Sequence, residues 1–304
     1  MRRSLALAVV FVAVGCGGEG GSQATPSAAA TAGPATPRPP ALCGALRVRA
    51  TGTVADPSAN ELSGLVRSRT QPDLLWSHDD SGAGPILYGL RTDGRVAAKP
   101  SVNGAEAFDW EDIASGPAPG GGSLLYVGDI GDNRAARPAI DVYRVAEPKV
   151  GDATTAPADR LGLRYPDGAH DAEALLVDPV RGDLVIVTRG LTSGRAYSTS
   201  ARLPAGSQTT LRAGPRIAMS LVTAGDVSAD GRVVVLRGYG QAAVWIRRGR
   251  ERLTTTLRRA PCLSRTSLAP EGQGEALALD RRGTSFITVA EGSPATLRRY
   301  APRG

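Results

Sequence analysis

The chain carries five copies of one pattern. Apolar segments that end on a charged residue recur as LLWSHD closing at Asp79, LLYVGD at Asp129, LVIVTR at Arg189, RVVVLR at Arg237 and FITVAE at Glu291, and a glycine follows each within three residues. Before each lies another apolar segment opened by an acid, at Glu61, Glu111, Glu173, Asp226 and Glu275. The intervals from opening acid to closing charge are 18, 18, 16, 11 and 16 residues, and the closing charges are spaced by 50, 60, 48 and 54 residues. A third apolar segment follows in each copy, as ILYGL, DVYRV, AYSTS, AVWIR and TLRRY. Segments of strand length joined by Gly-rich turns, repeated at this period, fit the blade of a β-propeller. The expected fold is therefore all-β, a propeller of five blades with four antiparallel strands each.

The last copy has only three strands of its own before the chain ends at Gly304. Leu46 to Val54 (LRVRATGTV) alternates like a strand and lies before the first opening acid. It is expected to pair with the last blade and close the ring.

Three regions follow. Residues 1–15 read as a signal peptide, with Arg2 and Arg3 ahead of an apolar run from Leu5 to Val14 that is too short to span a bilayer. Ala13-Val14-Gly15-Cys16 resembles a bacterial lipobox, with Cys16 as the lipidated residue. Residues 16–41 form an Ala/Pro/Thr/Gly-rich segment too poor in apolar bulk to offset its ordering entropy, and read as a disordered tether. Residues 42–304 form the propeller. The expected location is the outer face of a bacterial cytoplasmic membrane, held there by the lipid anchor. An oxidising compartment suits a bridge between the two remaining cysteines, Cys43 and Cys262, which would staple the ring.

The net charge of +7 falls to +5 once Arg2 and Arg3 leave with the signal peptide. The basic residues are nearly all Arg, scattered through outer strands and turns, without the aromatic interleaving of a single-strand-binding surface. Nucleic acid is not an expected partner.

Chemistry concentrates on one edge. In an antiparallel hairpin the start of the first strand lies beside the end of the second. Opening acids and closing charges therefore face one mouth of the central channel. The copy with Asp109, Glu111, Asp112, Asp129 and Asp132 is the richest in acids. The candidate metal ligands are Asp109, Glu111, Asp129 and Asp132 of that copy, Glu61 and Glu173 from neighbouring copies, and Asp226 and Glu275 completing the ring; Asp80, Asp171 and Asn133 are nearby acceptors. Crowded carboxylates repel unless a cation joins them. An oxygen-only set favours Ca²⁺. The competing arrangement is a metal-free lattice of carboxylate pairs with Arg189 and Arg237.

At ELSGL, WSHDDSG, FDWEDI, VGDIGDN, DAEAL, GDVSADG and GEALAL the chain resembles exported bacterial β-propeller lipoproteins of the phytase-like and esterase-like type. The resemblance spans Glu61 to Gly292. It implies an extracytoplasmic propeller and, through its phytase-like members, a phosphate-bearing substrate. Two functions are expected from residues and resemblance together. The first is a module that binds a small ligand, glycan or protein at a Ca²⁺-bearing mouth. The second is a Ca²⁺-dependent hydrolase of phosphoesters or lactones, with Arg189 and Arg237 holding the substrate and His78 moving a proton.

Overall fold

The computed structural model describes residues 41–80, 82, 84–263 and 266–303. Residues 1–40, on which the expected signal peptide, the expected lipidation of Cys16 and nearly all of the expected tether fall, lie outside them. The first strand, β1 (Leu46–Val54), follows a single 3₁₀ turn at Ala41–Cys43. Blade 1 is β2 (Leu62–Arg67), β3 (Leu74–Asp79), β4 (Leu87–Arg91) and β5 (Val96–Ala98). Blade 2 is β6 (Trp110–Pro117), β7 (Ser123–Asp129), β8 (Ile140–Ala146) and β9 (Asp159–Arg164). Blade 3 is β10 (Ala172–Val177), β11 (Asp183–Thr188), β12 (Gly194–Ser200) and, beyond the short β13 (Gln208–Thr210), β14 (Arg212–Ile217). Blade 4 is β15 (Val222–Val227), β16 (Val233–Gly238), β17 (Ala242–Ile246) and β18 (Cys262–Leu263). Blade 5 is β19 (Ala276–Leu279), β20 (Phe286–Val289) and β21 (Ala295–Pro302), completed by β1.

The fold is thus a five-bladed propeller closed by its N-terminal strand. β1 runs antiparallel to β21 from Leu46 opposite Pro302 to Val54 opposite Ala295. One strand departs from the four-per-blade plan: β13 leaves blade 3 and adds to the outer edge of blade 2, parallel to β9.

Burial explains why some strands read as unbroken apolar runs and others as mixed ones. An inner strand has a neighbouring blade on each face, so β10 and β11 are buried at every position. The outermost β1 is covered only at its ends. The core is divided among the five inter-blade spaces. Between blades 1 and 2, for example, Val66, Trp76 and Leu87 pack on Trp110, Ile113 and Val127.

Cys43 and Cys262 form a disulfide with 5.6 Å between their Cα atoms. It joins the lead into β1 to the outer strand of blade 4, beside the seam where the ring closes. The sequence separation is 219 residues, and in the chain-entropy account such a loop contributes about 5 kcal/mol.

Candidate metal centre at the channel mouth

The inner strand of each blade enters from the same end of the channel, and its first residues form the mouth. In blades 2, 3 and 4 the pairing of inner and second strand slips there by one residue. The slip lies between Trp110 and Asp112, between Ala172 and Ala174, and between Val222 and Ala224. A bulge leaves one residue unpaired and re-aims its side chain. The residues so released are Glu111, Glu173 and Thr223. Thr223 donates to the Gly274 carbonyl at 3.0 Å, and Ser63 of blade 1 donates to the Glu111 carbonyl at 2.7 Å. These bonds tie neighbouring blades together close to the acids. Blade 1 slips between Ser63 and Val66, where Gly64 has φ +58° and lies hard against Asp112 and Ile113 of blade 2. A side chain there would be strained and would collide with backbone.

Two groups of carboxylates meet at the mouth. Asp80, Asp109 and Glu111 form one, and Glu111, Asp171 and Glu173 the other; within each, one oxygen per residue lies within 4.8 Å of the others. Glu111 belongs to both. Glu111 and Glu173 are buried. Gly131 of the GDIGDN run lies so close that a Cβ there would enter the carboxylates of Glu111 and Asp109. The backbone N–H of Gly131 donates to the Asp109 carbonyl, and that of Asp132 to the Asp171 carboxylate at 2.9 Å.

These acids are poorly neutralised. Burial, then the charges of Glu173, Asp80 and Asp109, hold Glu111 well above the ordinary glutamate range. Burial and the charges of Asp109, Glu275 and Glu61 raise Asp80 to about 7. Glu173 is pushed up to about 8, burial outweighing its Arg189 partner. Burial and a hydrogen bond with Glu275 bring Glu291 to about 8. Arg189 donates to Glu173 Oε1 and, at 3.1 Å, to the Tyr239 hydroxyl, which donates to Glu275 Oε1 at 3.0 Å. Glu173 Oε2 and Asp80 Oδ1 are buried with no hydrogen-bond partner among the described residues.

The other expected ligands are differently placed. Glu61 is exposed beside the mouth and belongs to neither group. Glu275 sits at the rim with Tyr239 and Glu291. Asp129 is buried and committed: it accepts from the N–H groups of Phe108 and Asp109 at 3.1 and 3.2 Å and pairs with Arg137 at 2.8 Å, so it shapes the Asp109 loop. Asp132 caps its own turn through the N–H groups of Ala136 and Arg137. Asp226 is corrected most. It lies three residues past the bulge of its blade, toward the opposite end of the channel, and accepts from the N–H groups of Val227 at 2.7 Å and Leu279 at 2.8 Å. Its short interval of 11 residues to Arg237 reflects that displacement.

Of the three residues assigned to catalysis, only Arg189 reaches the mouth. Arg237 is buried in an ion pair with Glu271 at 3.1 Å and also donates to the Ala276 carbonyl. His78 is completely buried, edge-on to Trp110, and its Nδ1 donates to the Asp79 carbonyl at 3.0 Å. Burial pushes its pKa down to about 4, so it is neutral near pH 7. It is a packing residue below the mouth.

Asp112 carries a role that the repeat pattern did not reveal. Fully buried, it accepts from the N–H groups of Ile113 (2.9 Å), Leu175 (2.9 Å) and Gly225 (3.2 Å). One carboxylate thus joins the inner strands of blades 2, 3 and 4 across the channel. Its spacing in the chain gave no signal of this, because two of its three partners, Leu175 and Gly225, belong to the inner strands of other blades.

The fold and its mouth define a five-bladed β-propeller with clustered carboxylates able to hold a metal ion at one end of the channel. No family model matches the chain, and no curated protein matches it. Among solved structures it is similar to the Dos1 propeller, at 10% identity over 79% of this chain and 68% of that one, with a TM-score of 0.36. It is also similar to a chain of a nidogen/laminin complex, at 14% identity over 76% and 73% of the two chains, with a TM-score of 0.46.

Proposed function

We propose that this chain is an extracytoplasmic binding module whose acidic mouth holds a Ca²⁺ ion and presents it to an oxygen-rich ligand or partner. The observation that carries the reading is the sharing of Glu111 by two carboxylate groups drawn from blades 1, 2 and 3 and their loops. The ligand atoms are all oxygens, which suits a hard cation, and the irregular spread over several loops suits Ca²⁺ better than the strict octahedron of Mg²⁺. The unpartnered oxygens of Glu173 and Asp80 support it further. Export and lipidation at Cys16 complete the proposal, and the Cys43–Cys262 bridge is consistent with an oxidising compartment. Hydrolysis of a phosphoester or lactone is the weaker reading, because His78 and Arg237 are committed to the interior.

The test is thermal unfolding in EDTA and in millimolar Ca²⁺. A cation bound only to the folded state stabilises it by about 2.7 kcal/mol at a hundred times the dissociation constant. The wild type should melt higher in Ca²⁺, and Glu111→Gln should lose that increase. A wild type that melts at the same temperature in both buffers would overturn the reading.

A further inference from the structure

Beside the far end of the channel, where blades 1 and 5 meet, four arginines line a groove of about 610 Å³. Arg47 and Arg49 lie two apart on β1 and so share a face of the strand. Arg49 is directly opposite Arg299 of β21. Like charges in that position repel and destabilise a strand pair. Arg67, at the end of β2, faces them from blade 1, and its Nε is buried with no hydrogen-bond partner among the described residues.

Three acids, Asp73, Asp93 and Asp280, line the same groove and leave it an excess of one positive charge, but none of them is ion-paired with the four arginines among the described residues. Asp280 spends its oxygens on the Thr284 N–H and hydroxyl, both at 2.7 Å, and on the Ser285 hydroxyl at 2.9 Å. Asp93 accepts from the Arg95 N–H. Asp73 is exposed at the lip. No ion pair involves Arg47, Arg49, Arg67 or Arg299 among the described residues, although arginines elsewhere on the propeller, such as Arg160, Arg247 and Arg259, are paired. Burial lowers the Arg67 pKa, and Arg299 and Arg281 act in the same direction against the pull of Asp280 and Asp73.

We propose that this groove is an anion site, separate from the acidic mouth, that binds a small ligand carrying phosphate groups. Several guanidinium forks converging from two blades can each take two oxygens of a phosphate, a geometry that a single carboxylate does not fill. The volume lies within the range of small-molecule sites and leaves room for the group that bears the phosphate. Bound phosphate would also remove the repulsion between Arg49 and Arg299.

The test is calorimetric titration of the full chain with inorganic pyrophosphate, in EDTA and at fixed ionic strength, alongside melting temperatures. The double variant Arg49→Gln/Arg299→Gln should weaken pyrophosphate binding about tenfold or more. In phosphate-free buffer it should melt slightly higher than wild type, because the opposed charges are gone. Arg248→Gln/Arg250→Gln removes the same charge from an exposed turn of blade 4 and should change neither result. The proposal is overturned if wild type binds no pyrophosphate, if the groove variant binds as tightly as wild type, or if both double variants lose binding equally.

Discussion

Glu111 and Asp112 are adjacent in the chain and both hidden from solvent, yet their surroundings are opposite. Asp112 points across the channel into three backbone N–H groups from three blades. Glu111, turned aside by the bulge, points into other carboxylates. Burial raises the pKa of both. What separates them is the supply of donors: inner strands leave N–H groups facing the channel, and one carboxylate can satisfy several of them. A buried acid surrounded by donors holds the ring together. A buried acid surrounded by acids destabilises the ring unless a cation or a proton offsets the repulsion. The comparison teaches that burial alone does not mark a ligand; the neighbours of the carboxylate do.

The largest effect should come from Asp112. Asp112→Ala strands the N–H groups of Leu175 and Gly225 in the interior, and each such orphan costs about 1–3 kcal/mol. The expected loss, read from chemical denaturation, is about 3–5 kcal/mol, the same in EDTA and in Ca²⁺. Asp112→Asn keeps an acceptor and should lose less. An alanine variant as stable as wild type would show that the channel bonds contribute nothing and that the two acids do not differ in kind.

Much of this was legible in the sequence, because strands, turns and charges recurred in step. The strand segments, the blade number and the closing role of Leu46 to Val54 follow from spacing and alternation, and the Cys43–Cys262 pairing from there being two cysteines left once Cys16 is set aside. The mouth was legible only as a neighbourhood. A charge at the end of a strand can face the channel, a turn or a partner Arg, and spacing does not distinguish these outcomes. Asp129 and Glu111 occupy matching ends of one hairpin, but Asp129 meets Arg137 and two N–H groups while Glu111 meets Glu173. The bulges decide which side chain turns inward, and they are pairing slips that no single strand displays. In blade 4 the bulged residue is Thr223, so an acid three positions later was aligned with the mouth although it lies elsewhere. The burial of His78 was likewise set by Gly64 and Trp110, which reach it from other strands.

Asp226 offers the next test, since it is buried like the mouth acids but bonded like Asp112. Burial raises its pKa to about 6 from the ordinary 3.8, against the pull of the Leu279 N–H, Arg69, the Val227 N–H and Arg67. The folded state therefore holds this proton more tightly than the unfolded chain. Its contribution is most favourable below about pH 4 and is lost as pH rises through 6, a change of about 3 kcal/mol if complete. Asp226→Asn is neutral throughout. The stability difference between variant and wild type should move in favour of the variant by up to that amount between pH 4 and pH 8, with or without Ca²⁺. A difference that stays constant with pH would mean that Asp226 ionises freely in the folded protein.

The smallest effect, and the one that separates mouth from channel most directly, belongs to Asp80. Its pKa of about 7 comes from burial first, then from the charges of Asp109, Glu275 and Glu61. Asp80→Asn removes one charge from that cluster. In EDTA at pH 8 the variant should be more stable than wild type by about 1 kcal/mol, a figure reduced for the screening that its partial exposure allows. Near pH 5 the advantage should shrink, because the wild-type carboxyl is then protonated in the folded state. In millimolar Ca²⁺ the order should reverse, because the amide is a weaker ligand than the carboxylate it replaces. Thermal melts of the two proteins under these conditions give the answer. If Asp80→Asn ranks the same way with and without Ca²⁺, Asp80 is no ligand, and the mouth differs from the channel only in being less well bonded.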